Sequence, residues 1–303
     1  MKLVNLDQLN QVIVQPLRQA LIRNEHVNAL TNDDENNWAL SAAITALNSL
    51  TNPNLSDDEV LRAFDDHLYT IMNSGQTRCN SNFLALTYGY NYLFQRVHAI
   101  EEAFKALDYG TSKTREKGLF VDIGCGLGAL LIALRNLHEN EDFVLNYRGY
   151  DIVEEVLPIN LNFLNEVYPN ANVVLNGKQI ESLSDMAHEN INHVIMVFSY
   201  LFSQNKIEES FDDFESKIDA LFEEFNLSSF YLVYINIRPG CYTKYQDFLN
   251  QLVNGGKYTM EVMNNTSVSA SKKRLNRLSH YKDDMSWVGD SNVHCCVRKL
   301  QRV

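Results

Sequence analysis

No stretch of this 303-residue chain approaches the run of roughly 20 apolar residues that a membrane helix needs. The opening MKLVNLDQLNQ turns polar too early for the core of a signal peptide, so a cytoplasmic protein without a membrane partner is expected. Cysteine is scarce and unpatterned. Cys79, Cys125 and Cys241 stand alone, Cys295 and Cys296 are adjacent, and C-x-x-C occurs nowhere. An odd total of five without paired spacing argues against a disulfide framework and against a zinc site. The eight histidines never fall into H-x-x-x-H or H-E-x-x-H spacing, so no metal is expected. Cations are also few. Lys and Arg total 26 against 38 Asp and Glu, a formal charge of -12 that repels a polyanion on average. DNA is therefore not the expected partner.

What remains is ample for a folded core: 45% of residues are hydrophobic and 21% charged. Residues 1–110 read as helices, an all-helical N-terminal cap. Leu9, Val12, Ile13, Leu17, Ala20 and Leu21 fall near a 3.6-residue period. Trp38 to Leu50 reads as a second helix. Ser56 and Glu59 form a capping box for a third. Ser81 is the expected cap of a longer helix whose Leu86, Tyr90, Leu93, Val97, Ile100, Phe104 and Leu107 draw a narrow apolar seam. From Leu119 the pattern becomes strand, helix, strand. Strands are expected at Leu119 to Ile123, Tyr147 to Ile152, Asn172 to Leu175, His193 to Phe198, Phe230 to Ile237, Tyr258 to Met263 and Val293 to Leu300. Helices are expected at Ala129 to Leu137, Leu157 to Val167, Ile207 to Phe225 and Tyr245 to Val253. Such alternation implies an α/β fold for 111–303: a doubly wound, mostly parallel seven-stranded sheet with an antiparallel C-terminal strand pair.

The most informative stretch is Asp122-Ile-Gly-Cys-Gly-Leu-Gly128, where an apolar strand feeds a D-x-G-x-G-x-G loop and a helix follows at once. Glycines let the loop turn tightly and let a ligand lie against bare backbone. The following helix start offers amides and partial positive charge. A carboxylate at Asp122 suits a ligand that carries an ammonium group and would repel a pyrophosphate. Gly124, Gly126 and Ala129 also satisfy the looser dinucleotide pattern G-x-G-x-x-G/A. The charge of Asp122 and the extra Gly128 weigh against it.

This segment resembles motif I of the class I, Rossmann-like S-adenosylmethionine-dependent methyltransferases. The resemblance covers about residues 115 to 240 and, more loosely, the last two strands. It implies S-adenosylmethionine as cofactor, held by Asp122, Ile123, Gly124, Cys125, Gly126 and Gly128. Asp151 ends the second strand 23 residues after Gly128. The resemblance gives Asp151, with Ile152, the ribose, while a helix N-cap is the alternative for Asp151. Asn176 is the counterpart of an adenine contact, or a plain turn residue. Phe198 leads into the loop after strand four, which faces the methyl group in this family. Ser199 and Tyr200 are therefore the candidate catalytic pair. The amino-methylating Asp/Asn-Pro-Pro-Tyr loop is replaced here by Phe-Ser-Tyr.

Two further features bear on the acceptor. Tyr88, Tyr92 and Arg96 share a polar face of the long helix, and are candidate substrate contacts. Lys272, Lys273, Arg274 and Arg277 form a basic cluster inside a Ser/Asn-rich insertion from Asn264 to Asn292. That cluster makes RNA a candidate partner, with a solvated surface as its alternative. The expected activity is methyl transfer to a small molecule, peptide or RNA. A cofactor-binding module without turnover is the second reading.

Overall fold

A computed structural model describes residues 10–23, 25, 59, 64–65, 67, 81–107, 118–137, 146–151, 153, 156–161, 172–176, 191–204, 206–227, 230–237, 240–275 and 285–303. The helix expected at Trp38 to Leu50, and most of the capping-box helix, lie outside these residues.

Seven strands form one sheet: β1 (Gly118–Ile123), β2 (Asn146–Tyr150), β3 (Asn172–Asn176), β4 (His193–Ser199), β5 (Phe230–Asn236), β6 (Tyr258–Leu275) and β7 (Met285–Arg302). Their order is β3-β2-β1-β4-β5-β7-β6. The first five pair in parallel, and β7 pairs antiparallel to both β5 and β6. The mixed α/β sheet, mostly parallel with an antiparallel pair, agrees with the sequence reading. Every residue of β1 is buried, as a strand covered on both faces requires.

The helices are α1 (Gln15–Ile22, entered through a π-helical turn at Asn10–Val14), α2 (Asn82–Ala106), α3 (Ala129–Leu137), α4 (Phe211–Glu224) and α5 (Gly240–Asn254). Alternate side chains of the strands divide them into two layers. Phe120, Ile195, Val233 and Cys295 pack with α1, α2 and α3. Leu119, Val121, Met196, Phe198 and Tyr234 pack with α4 and α5.

Helix α2 begins as expected: the Ser81 hydroxyl accepts a hydrogen bond from the Leu84 amide at 3.2 Å. The narrow seam is too modest a description, however. All seven seam residues are buried, but so are Phe83, Leu84, Thr87, Asn91, Phe94 and Glu101 on other faces. The reason is packing on several sides, against α1, α3 and β6. Gly89 permits one of these approaches: a Cβ there would lie 2.5 Å from Leu127 and 2.7 Å from Ile13. This helix shares one core with the sheet, so packing is continuous across residue 110.

Two boundaries differ markedly from the sequence reading. Helix α5 starts at Gly240, five residues before the expected Tyr245, with Cys241 and Tyr245 both on its buried side. The supposed insertion at Asn264 to Asn292 is largely β-ribbon, since β6 continues to Leu275 and β7 begins at Met285. Polar residues on a two-stranded ribbon lack the apolar alternation that marks a half-buried strand, which is why the sequence hid it. A bulge at Val262/Asn264 marks this edge strand, leaving Val262 and Met263 exposed.

One buried ion pair ties the two ends of this scaffold. Arg148 on β2 is fully buried and donates from Nη1 and Nη2 to both carboxylate oxygens of Glu224, at 2.9 and 2.7 Å. Removing Glu224 takes a carboxylate from a guanidinium that is fully buried. Glu224→Ala should therefore cost about 3 to 5 kcal/mol in chemical denaturation. The paired change Arg148→Met with Glu224→Leu should recover most of that loss.

Candidate functional site

The site is built where β1 and β2 end and α3 begins. Three glycines in the loop have left-handed backbones: φ is +73° at Gly124, +49° at Gly126 and +84° at Gly128. Two of them explain why side chains are excluded. At Gly128 a Cβ would sit 2.7 Å from the Asn160 amide oxygen. At Gly126 the space is open, with the Gly124 carbonyl oxygen 4.0 Å away as the nearest atom, leaving bare backbone for a ligand.

Backbone bonds fix the loop. The amides of Gly124 and Cys125 both donate to the Tyr150 carbonyl at the end of β2, at 2.7 and 3.0 Å. The Gly128 amide donates to the Cys125 carbonyl at 2.9 Å, and Ile132 donates to Gly128 at 3.1 Å to open α3. The Asp151 carboxylate bridges outward: Oδ2 accepts from the Gly126 amide at 2.8 Å, and Oδ1 accepts from the Val153 amide at 2.9 Å. Asp151 thus both holds the loop and caps the segment after it, the alternative role that spacing had left open.

Asp122 stands behind the loop and is 1% exposed. Tyr147 on β2 donates its phenol to Oδ2 at 2.8 Å, while Oδ1 has no hydrogen-bond partner. Burial raises the carboxyl to about 7; the Tyr147 bond opposes that rise and the nearby Asp151 adds to it. Burial, with Asp122 and Asp151 nearby, also pushes the Cys125 thiol well up, so it is an inert core thiol. Asn160, from a helical stretch at 157–161, donates to the Gly126 carbonyl at 3.0 Å and leaves its own Oδ1 unpartnered. Two buried acceptors without donors therefore flank one glycine loop. Among the described residues, no group of three or more His, Cys, Asp or Glu side chains is placed to hold a metal ion.

The structure brings together Asp122, Gly124, Cys125, Gly126, Gly128 and Asp151. It treats other expected residues differently. The side chains of Ile123 and Phe198 belong to the opposite core layer, and the Phe198 ring lies among Phe202, Phe214, Tyr245 and Phe248 at 5.6 to 6.2 Å. Only their backbones adjoin the carboxyl edge. Ser199 is half-buried at the end of β4. Asn176 ends β3 beside Tyr150, with its side chain outside the described part, as is Ile152.

Tyr200 begins the turn after β4 in a left-handed conformation, φ +62°, and is 7% exposed. The Arg96 guanidinium lies 4.2 Å from its ring centroid and 5.2 Å from that of Tyr88; the Tyr92 ring meets that of Tyr88 at a 48° tilt, centroids 5.2 Å apart. The candidate substrate residues and Tyr200 therefore form one cluster. One face of the Tyr200 ring is given to Arg96, and burial raises its phenol far above the usual range. Sequence reasoning missed Tyr147 and Asn160. Neither stands in a motif, and only pairing of β2 beside β1 and the return of 157–161 bring them in.

Tyr200→Ala should now cost about 3 to 5 kcal/mol of stability, as deletion of a buried aromatic does. Tyr200→Phe keeps the ring under Arg96 and should melt within a few degrees of wild type.

No protein-family model matches the chain, and no curated protein matches it. Solved structures do resemble it. One, designated an S-adenosyl-L-methionine-dependent methyltransferase of Methanococcus maripaludis, has a TM-score of 0.40 at 13% identity, over 72% of this chain and 94% of that one. A SAM-dependent methyltransferase from Aquifex aeolicus gives 0.39 at 11% identity, over 69% and 94%. One designated an RNA methyltransferase of Pyrococcus horikoshii gives 0.37 at 15% identity, over 68% and 84%. At such scores and identities, the functional reading rests on the residues of the loop.

Proposed function

We propose that this protein is an S-adenosylmethionine-dependent methyltransferase. The observation that carries the reading is Asp122: a buried carboxylate at the carboxyl end of β1, one oxygen unpartnered, behind a glycine loop with open backbone. Such a group calls for a cationic ligand. A pyrophosphate would meet two carboxylates, Asp122 and Asp151, and be repelled.

In this reading Asp122 faces the ligand's positive charge and Gly126 gives it close approach. Asp151 accepts ribose hydroxyls on the lone pairs that the loop amides leave, and the Asn160 amide oxygen takes a further donor. When bound, S-adenosylmethionine supplies a methyl group already activated on a sulfonium. The chain then needs to align the acceptor and exclude water rather than perform strong acid–base chemistry. Ser199 and Tyr200 stand where the acceptor would approach, after β4 at the carboxyl edge. Tyr200 acts there through Arg96, as a positioning residue.

One observation favours binding without turnover: Arg96 covers the Tyr200 face that an acceptor would otherwise stack on. Release of S-adenosylhomocysteine on incubation with cofactor and cell extract would exclude that reading.

S-adenosylmethionine or S-adenosylhomocysteine should raise the melting temperature. At a hundredfold excess over Kd the stabilisation is about 2.7 kcal/mol. Asp151→Ala should remove most of the shift, and stabilisation by NAD instead would overturn the assignment. The affinity should also depend on pH. Asp122 ionises only above about 7, so it attracts a cation at pH 7.5 and is mostly protonated at pH 6. Binding should weaken by roughly eightfold over that interval if the ionised form is required. Asp122→Asn should bind weakly and show no such dependence. For the ligand-free fold the sign is opposite. A carboxyl whose folded pKa is raised from 3.8 to about 7 destabilises progressively as pH rises through that window, and Asp122→Asn should flatten this contribution.

A further inference from the structure

Beside the aromatic core under α5, strand β7 carries a cation that the fold leaves without a counter-charge. Arg298 is 5% exposed. Its Nη1 donates to the carbonyls of Asn264 and Val297 at 3.0 and 3.1 Å, and its Nη2 to the Tyr242 phenol oxygen at 2.8 Å. Those three bonds leave other N–H groups of the guanidinium unused. All three acceptors are neutral, and among the described residues no carboxylate pairs with Arg298. Arg148, buried as deeply, has Glu224.

Two more donors stand beside it without acceptors. Tyr234 on β5 and Tyr245 on α5 are fully buried, and their rings stack with centroids 4.6 Å apart. Neither phenol has a hydrogen-bond partner among the described residues. Burial pushes both phenols far above the usual range, so each keeps its proton and requires an acceptor. Tyr242 adds to the rise at both, and Arg298 opposes it at Tyr245, so guanidinium and phenols address one region. That region opens along a groove between α5 and the β6–β7 pair. Tyr242 and His294 are half-buried there, and Asn265 is exposed. The His294 and Tyr242 ring centroids lie 4.2 Å apart, and His294 Nε2 is 2.7 Å from the Asn265 amide oxygen. The cluster is on the opposite face of the sheet from Asp122, whose partner Tyr147 belongs to the layer under α2 and α3.

We propose that this groove binds a small monocarboxylate, its oxygens accepting from the remaining guanidinium N–H groups of Arg298 and from the phenols of Tyr234 and Tyr245. The site stands independently of the methyltransferase reading. Surplus donors call for an acceptor, and an unbalanced buried cation calls for an anion. Water would satisfy the phenols but leave the charge unbalanced. One guanidinium balances one negative charge, so a phosphate dianion would bury a second, uncompensated one. A planar carboxylate also matches the guanidinium fork. The surrounding rings favour an apolar body behind that carboxylate.

Isothermal titration of the full chain with sodium benzoate, near neutral pH and at constant ionic strength, tests this. Saturable binding at one site is expected, tighter for benzoate than for acetate and weakest for inorganic phosphate. Arg298→Met should weaken benzoate by about tenfold or more, the effect of losing a charged hydrogen-bond partner. Tyr245→Phe should weaken it severalfold and leave the melting temperature unchanged, because its hydroxyl has no internal bond to lose. This second variant keeps the test decisive if Arg298→Met does not fold. Saturating benzoate should leave the response to S-adenosylmethionine as it is. Four results would each overturn the proposal: no saturable benzoate binding, phosphate bound as tightly as benzoate, affinity unchanged in Tyr245→Phe, or a Tyr245→Phe chain that melts well below wild type. Competition between benzoate and S-adenosylmethionine would move the anion to the glycine loop and also overturn it. Loss of the S-adenosylmethionine response alone would leave this site standing and remove only the methyltransferase reading.

Discussion

Between Ile123 and Ala129 the chain has five residues in which to leave a fully buried strand and enter a helix. Everything at the site follows from that constraint. The turn requires left-handed backbone at Gly124, Gly126 and Gly128, and it exposes amides that must find acceptors. Tyr150 and Asp151, at the end of the neighbouring strand, supply them. The loop and the end of β2 are therefore one unit, and a carboxylate sits in it as part of the backbone's hydrogen bonding. The position proposed for the ribose contact is thus first a loop-fixing position.

The same tightness isolates Asp122. Placed one residue before the strand ends, it is closed off by Tyr147 on one side and the loop on the other. Water cannot solvate it, and one oxygen is left unmatched. A buried carboxylate oxygen without a donor is an unfavourable arrangement that a cationic ligand would relieve. The cost is tolerable because Tyr147 donates to the carboxylate and burial lets it stay partly protonated near neutral pH.

Away from the loop, the sheet distributes its two faces between distinct tasks. The face under α4 and α5 is an aromatic core, in which Phe198 and Phe202 each touch several rings. The face under α2 and α3 reaches the carboxyl edge through Tyr88, Arg96 and Tyr200. A cation between two rings is worth roughly 0.5 to 2 kcal/mol and orders a long side chain that would otherwise be free.

The sequence by itself determined the strand-loop-helix at Asp122 to Leu137, the alternation that follows, and the cap at Ser81. Each is a local matter of periodicity, glycine backbone and hydrogen-bonding side chains within a few residues. It also set Asp151 at the end of the second strand, 23 residues after Gly128, though its bond to the Gly126 amide came only with the fold. Which faces residues took was another matter. Phe198 and Ser199 are neighbours in sequence, yet the pleat sends the phenylalanine into the aromatic core and the serine to the other side. Tyr147, Asn160 and Arg148 carry no local signature, and their roles arise from partners 25, 34 and 76 residues away. The ribbon at β6 and β7 escaped the sequence because its polar positions are set by a partner strand rather than by a buried face. Only the tertiary structure decided these points, because strand pairing and layer packing choose neighbours that chain order does not.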